Sequence, residues 1–232
     1  MTKHQTATQF SRRAILKAGG ALVVSVGMPL ALDTVIGISE ALAQDSSAVA
    51  TQPPLMPDQL SSFIAVNADG TVSAFFGKMD MGHGLFVAIG QMVAEELDVP
   101  FKAVTVFMGD TATSVNQGGA SGSTGIQLGG KQMRMAAAEA RRVLMEMASE
   151  HLKTPVEKLT VLDGRVTISG GTPEQAVTYG QLIGGRYFNV QLDWNKQIGN
   201  ALYAPGKAQP KKPSEYKIVG KSLPREDIAP IV

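Results

Sequence analysis

The stretch "GKMDMGHGLFVAIGQMVAEELDVPFKAVTVFMGD" (residues 77–110) decides the reading of the fold. A turn rich in glycine opens it. LFVAIGQMVAEEL then follows, apolar on nearly every side except at Gln91, Glu95 and Glu96. A surface helix keeps a broad polar face, so this run predicts a mostly buried helix. Pro100 ends it, because proline cannot continue a helix interior. KAVTVFMGD is β-branched and reads as the next strand.

Working outward, SSFIAVNADGTVSAFFG (61–77) places two apolar runs around Asp69–Gly70, a hairpin signal. Downstream, TATSVNQGGASGSTGIQLGG (111–130) reads as a long loop of glycine and serine. KQMRMAAAEARRVLMEMASEHL (131–152) is the clearest helix. Met133, Ala136, Ala137, Ala140, Leu144 and Met147 recur on one face, with Arg134, Arg141 and Glu146 towards the other. Glu139–Arg142 and Arg142–Glu146 have the spacing of ion pairs along a helix. EKLTVLDGRVTIS (157–169) reads as a second hairpin, turning at Asp163–Gly164. After YGQLIGG (179–185) the chain becomes irregular, and residues 201–232 read as an extended C-terminal strap. Lys211 and Lys212 within it read as solvated charge. The strap has little apolar surface of its own and is expected to pack on something outside this chain. The order ββ-α-β-loop-α-ββ predicts an α+β domain over 61–200, a mixed sheet with two main helices packed on it.

The N-terminal residues read differently. Residues 12–13 are paired arginines, followed by a moderately apolar run and by "ALA" at 41–43, the small-x-small pattern of a signal-peptidase site. Arg12 and Arg13, with Ser11 before them and Leu16–Lys17 after, resemble a twin-arginine export signal over 1–43. That route carries proteins already folded, so the expectation is a periplasmic protein loaded with a cofactor before export. Residues 1–43 hold four basic and two acidic groups, so without them the formal charge falls from +1 to −1. Residues 44–60 are polar and rich in proline and read as a linker.

Composition removes several classes of function. The 232 residues include no cysteine. Disulfides, thiolate zinc sites, cysteine-ligated iron–sulfur clusters and a cysteine nucleophile are therefore absent from this chain. Near-neutral charge and the lack of a basic patch interleaved with aromatics argue against nucleic acid as a partner.

Three turns break the regular structure where backbone could meet a ligand: MGHG (81–84), GDT (109–111) and NQGGASGSTG (116–125). Glycine lets backbone N–H groups approach an anion closely, and helix N-termini favour negative charge. Ser121, Ser123 and Thr124 add hydroxyl donors. None of the three fits the Walker or dinucleotide fingerprint. Singly each is also what a flexible loop looks like, whereas together they suggest a phosphate-bearing cofactor. His83 stands between Gly82 and Gly84. A metal site needs several ligands, and neither His4 nor His151 is placed to join it. The histidine reads instead as a hydrogen-bonding group, and no catalytic residue is assigned.

The ordered motifs MGHG, GDT, QGGASGS and GGKQMR, together with the twin arginines, resemble the molybdenum cofactor-binding subunits of the xanthine dehydrogenase/aldehyde oxidase superfamily. Within it the likeness is to the isoquinoline 1-oxidoreductase β-subunit and membrane-bound aldehyde dehydrogenase branch. It covers residues 11–19 and about 61–228. The resemblance implies molybdopterin, as the cytosine dinucleotide, and oxidation of aldehydes or N-heteroaromatic compounds with the help of a glutamate base. It also implies partners: the remainder of the large subunit, a small subunit carrying the iron–sulfur clusters and a multi-haem cytochrome c. Membrane association would come through those partners. Carried over to this chain, Gly82, His83 and Gly84 would sit against the pterin or a phosphate. Gln117, Gly119, Ser121, Gly122, Ser123 and Thr124 would line the pyrophosphate–nucleotide end.

The chain departs from the family in two ways. His83 stands where the family turn carries glutamine, and imidazole cannot donate and accept at one end as an amide does. Family subunits are also much longer and carry their base near the C-terminus, so no glutamate here is assigned as base. Glu95 and Glu96 read as the polar side of their helix. The expectation is part of a molybdenum hydroxylase large subunit, inactive alone, either one half of a split subunit or a truncated one. The rival is an exported, non-catalytic interaction module whose glycine loops bind a partner protein.

Overall fold

The computed structural model describes residues 55–225 apart from Pro173. The expected signal, most of the expected linker and residues 226–232 lie outside the described residues.

The hairpin at Asp69–Gly70 forms strands β1 (Ile64–Val66) and β2 (Val72–Phe76), paired antiparallel with Ile64 opposite Ala74. Gly70 takes a φ of 87° and donates its N–H to Asn67 O at 2.9 Å, which closes the loop. The buried run is helix α1 (Leu85–Leu97), and the β-branched segment is β3 (Val104–Met108). β3 lies parallel to β2, with Val72 opposite Val104 and Phe76 opposite Met108. A parallel return needs a crossover, and α1 supplies it. α1 ends as Asp98 turns left-handed at φ 52°, two residues before Pro100.

The second helix, α2, spans Lys131–Leu152. Its predicted face is buried from Met133 through Leu144, with Met147 half-buried. The alanines of that face let α2 lie close against α1. Phe63, Ile64, Phe76, Ile89, Val93, Leu97, Met133 and Leu144 form the centre of the core, all fully enclosed. Each large apolar side chain buried in this way contributes about 1.5–3 kcal/mol.

The strands divide into two three-stranded sheets rather than one. The first, β1–β2–β3, is the mixed sheet on which the helices pack. The second is antiparallel and consists of β4 (Leu159–Leu162), β5 (Arg165–Ile168) and β6 (Ala176–Thr178). Asp163 and Gly164 have φ values of 52° and 71°, as a two-residue hairpin loop of matching twist requires. Helix α3 (Tyr179–Ile183) follows, started by a capping box in which Thr178 and Gln181 bond reciprocally. Among the described residues no helix is long and apolar enough to cross a membrane.

The ends of the domain differ from the sequence reading. Residues 58–60, placed in the linker, pair with 190–192: Leu60 N donates to Val190 O at 3.0 Å and Leu192 N to Asp58 O at 2.7 Å. The C-terminal segment, expected to need an outside partner, lies on this chain's own helices. Gln132 exchanges both hydrogen bonds with the Ala204 backbone, at 2.8 and 3.0 Å. Glu139 Oε2 accepts from Ala208 N at 2.8 Å. Glu95 Oε2 accepts from the consecutive N–H groups of Lys217, Ile218 and Val219 at 2.8, 2.6 and 3.0 Å. Glu95 and Glu96 are therefore buried clamps and not a polar side facing water. Lys211 is no solvated charge either: its Nζ contacts Asp98 Oδ1 at 2.5 Å, while Lys212 remains exposed.

Candidate functional site

All three glycine turns gather at one end of β2 and β3. Gly109 N donates to Phe76 O at 3.1 Å, bringing GDT beside the exit of β2. Gly77 N donates to Gln117 Oε1 at 2.7 Å, which fastens the long loop to the same exit. A Cβ at Gly125 would stand 2.9 Å from the Leu85 side chain, so that loop also abuts the start of α1.

The MGHG turn is already satisfied from within. Asp80 Oδ1 accepts from Gly82 N at 2.9 Å and His83 N at 3.0 Å, and Oδ2 accepts from Phe86 N at 3.2 Å. A carboxylate thus occupies the anion position at the α1 N-terminus, where the helix dipole favours it. Burial pushes the Asp80 carboxyl up more strongly than any single bond pulls it down, but these three bonds together hold it below its ordinary range. Gly82 and His83 are exposed and Gly84 half-buried. His83 Nδ1 accepts from Met81 N at 3.2 Å and lies 3.2 Å from Asp80 Oδ1, so that nitrogen braces the turn. Arg225 returns to this turn, donating to Gly82 O at 3.0 Å. Asp110 Oδ1 accepts from Ala112 N at 2.8 Å and the residue is exposed. Among the described residues no group of three or more His, Cys, Asp or Glu side chains is placed to hold a metal ion.

The 116–125 loop is built differently. Gly119, Ser121, Gly122 and Ser123 form its outer side, and a Cβ at Gly119 or Gly122 would meet nothing within 4 Å. Gly122 and Ser123 have φ values of 63° and 60°, a left-handed pair that only glycine adopts freely. Thr124 Oγ1 turns inward to Gly119 O and Ser121 O at 2.9 and 2.8 Å, fixing the loop. Gly125–Gly130 then forms a π-helical turn instead of the expected loop and runs directly into α2. Such turns are frequent at functional sites. Gln117 is buried and does not face the open side. Its Nε2 has no partner, and it lines a void of about 10 Å³, close to the room one water needs.

Lys78 carries no motif in the sequence, and only the fold brings it to notice. It is 1% exposed, and its Nζ donates to Gly119 O at 2.8 Å, Asn200 Oδ1 at 2.6 Å and Thr124 Oγ1 at 3.4 Å. Burial lowers its pKa. Lys78 lies two residues beyond the core residue Phe76, in the bend that follows β2, and both side chains border Gly129.

The residues present fit a phosphate-bearing cofactor at the 116–125 loop, which offers an open glycine front, two exposed hydroxyls and an ammonium behind. The MGHG turn fits a direct phosphate contact less well, because Asp80 already takes its N–H groups.

The molybdopterin cofactor-binding domain family matches residues 31–220. One subunit of the nicotinate dehydrogenase of Pseudomonas putida is 36% identical over 89% of this chain and 16% of its own length. The β subunit of isoquinoline 1-oxidoreductase from Brevundimonas diminuta is 24% identical over 97% of this chain and 31% of its own. This chain thus spans less than a third of the length of either relative. Among solved structures, quinoline 2-oxidoreductase from Pseudomonas putida 86 aligns at 26% identity and a TM-score of 0.43, covering 54% of this chain and 16% of that one. With the family matched across most of its length, the chain belongs to the molybdopterin cofactor-binding domain family.

Proposed function

We propose that this chain supplies the nucleotide-side part of the cofactor site in a molybdenum hydroxylase large subunit. The observation that carries the reading is the open glycine front of the 116–125 loop, where nothing stands within 4 Å of a Cβ at Gly119 or Gly122. Backbone there can approach a pyrophosphate as closely as hydrogen bonding requires, and Ser121 and Ser123 can donate to it. The nucleotide form we propose is the cytosine dinucleotide. When bound, the molybdenum centre supplies two-electron oxidation of an electrophilic carbon.

The relatives named for nicotinate and isoquinoline support an N-heteroaromatic substrate, with aldehydes as the second class. Glu95, Glu96 and Glu139 do not serve the loop front, because they are committed to the C-terminal segment. In this reading the base comes from the remainder of the large subunit, and the iron–sulfur clusters from a small partner subunit that passes electrons to a multi-haem cytochrome c. Arg12–Arg13 and Ala41–Ala43 support export by the twin-arginine route to the periplasm.

The test is to produce the full chain alone and together with the remainder of the subunit. Molybdenum, cytidine monophosphate released by acid and turnover of nicotinate or isoquinoline are then measured. All three are expected only in the assembled protein. Stoichiometric molybdenum with turnover in the chain alone would overturn the reading.

A further inference from the structure

Among the described residues, Lys78 is buried without a counter-charge. Its three hydrogen bonds go to a carbonyl, an amide oxygen and a hydroxyl, all neutral, and none of the salt bridges among the described residues includes it. Enclosing an ammonium in this way costs far more than enclosing a methionine of similar length. The nearest acidic residue in sequence, Asp80, is already engaged with three backbone N–H groups. Two of the three acceptors of Lys78, Gly119 and Thr124, belong to the loop whose front is open. The third, Asn200, sits against Gly118 of the same loop, 2.7 Å from where its Cβ would be. The charge is thus pinned directly behind the glycine front, separated from it by one thickness of backbone.

We propose that Lys78 is the counter-charge for a diphosphate seated on the front of Gly119–Ser123, acting through the loop and not by direct contact. This deepens the cofactor reading above and rests on it. The ammonium polarises the Gly119 carbonyl, which strengthens the donor character of the adjoining peptide N–H groups towards an anion. It also offers a positive potential in a region of low dielectric, where charges act over longer distances than in water. The exposed lysines elsewhere on the chain lack this setting. Because the donors of Lys78 are all used inside, it is a positioning residue that also carries the electrostatics.

The experiment uses the full chain and two probes, inorganic pyrophosphate and cytidine diphosphate. Amide shifts of Gly119–Ser123 report binding, and the Lys78 Cε shift reports its protonation. Lys78→Met is expected to weaken pyrophosphate binding by on the order of tenfold to a hundredfold. Lys78→Arg should restore most of the loss. In the unsubstituted chain, saturating pyrophosphate should move the Lys78 titration midpoint upward by about one pH unit or more. That measurement decides the matter even where Lys78→Met fails to fold. Unchanged pyrophosphate affinity in folded Lys78→Met, or a midpoint that pyrophosphate leaves in place, would overturn the proposal and leave the cofactor reading standing. Indifference of the unsubstituted chain to both probes would overturn the proposal together with the assignment of the loop to a diphosphate. Molybdenum content of the assembled protein would then judge the cofactor reading separately.

Discussion

Arg134 on α2 and Glu96 on α1 form an ion pair at 2.7 Å that closes around the backbone of residue 211. Glu96 Oε2 accepts from Lys211 N at 2.9 Å, while Arg134 Nη2 donates to Lys211 O at 2.6 Å. Both backbone polar groups of one residue are thereby held by an interhelical pair. Tyr216 lies under the same guanidinium, 5.2 Å from its ring centroid. A segment with little apolar surface is fixed here by charged hydrogen bonds, which are about twice as strong as neutral ones.

Glu95 makes the tightest of these clamps, and its loss should be felt. Glu95→Ala orphans the three N–H groups of Lys217, Ile218 and Val219. The expected cost is about 2–4 kcal/mol, for three hydrogen bonds to a charged group lost together from a part-buried site. Urea denaturation measures it, and limited trypsin digestion should show earlier cleavage at Lys217 and Lys221. An unchanged urea midpoint would mean that the segment contributes little to the fold.

Acid should loosen the same clamps. Burial raises the Glu95 and Glu139 carboxyls, but hydrogen bonds and the cations Lys211 and Arg142 outweigh it and leave both below their ordinary range. A carboxyl lowered in the fold adds stability above its unfolded pKa, and that stability is lost as pH falls through the folded value. Glu96 runs the other way, because burial holds it above the ordinary range despite its Lys211 and Arg134 bonds. It takes stability away as pH rises through its own pKa. With two lowered groups against one raised, the urea midpoint should fall below about pH 4, near the ordinary carboxylate range. Glu95→Gln should shallow that fall.

Two adjacent glycines should separate stability from cofactor retention. Gly119→Val projects into open space and should change stability by no more than about 0.5 kcal/mol. In the assembled protein it should abolish molybdenum retention. Gly118→Ala meets Asn200 N at 2.7 Å from a backbone at φ 81°, so it should destabilise the fold by about 1–3 kcal/mol. Melting temperature and metal content, measured on both variants, test the contrast.

His83→Gln restores the residue that the family resemblance places in this turn. Asp80, not His83, accepts from the first turn of the helix, at Phe86 N, so the substitution should leave molybdenum retention in the assembled protein unchanged or raise it. Loss of molybdenum would assign the imidazole a role in holding the cofactor.

The amino-acid sequence by itself determined the local elements and the family. The hairpins at Asp69–Gly70 and Asp163–Gly164, both main helices and the ion pairs of Arg142 all follow from neighbours a few residues apart. Turn chemistry and helical spacing act over that range, so they can be read in one dimension. The gathering of the three glycine turns at one end of β2 and β3 was only suggested there. Tertiary structure decided which turn stays open, because Asp80 fills MGHG whereas nothing stands within 4 Å of a Cβ at Gly119 or Gly122. It also decided the fates of Lys78, Glu95, Glu96 and Lys211. Their partners lie dozens of residues away or more, and a charge read locally looks solvated until a distant segment covers it. Burial of a charged group is a property of the folded neighbourhood, set by what packs over it, and no local pattern encodes it.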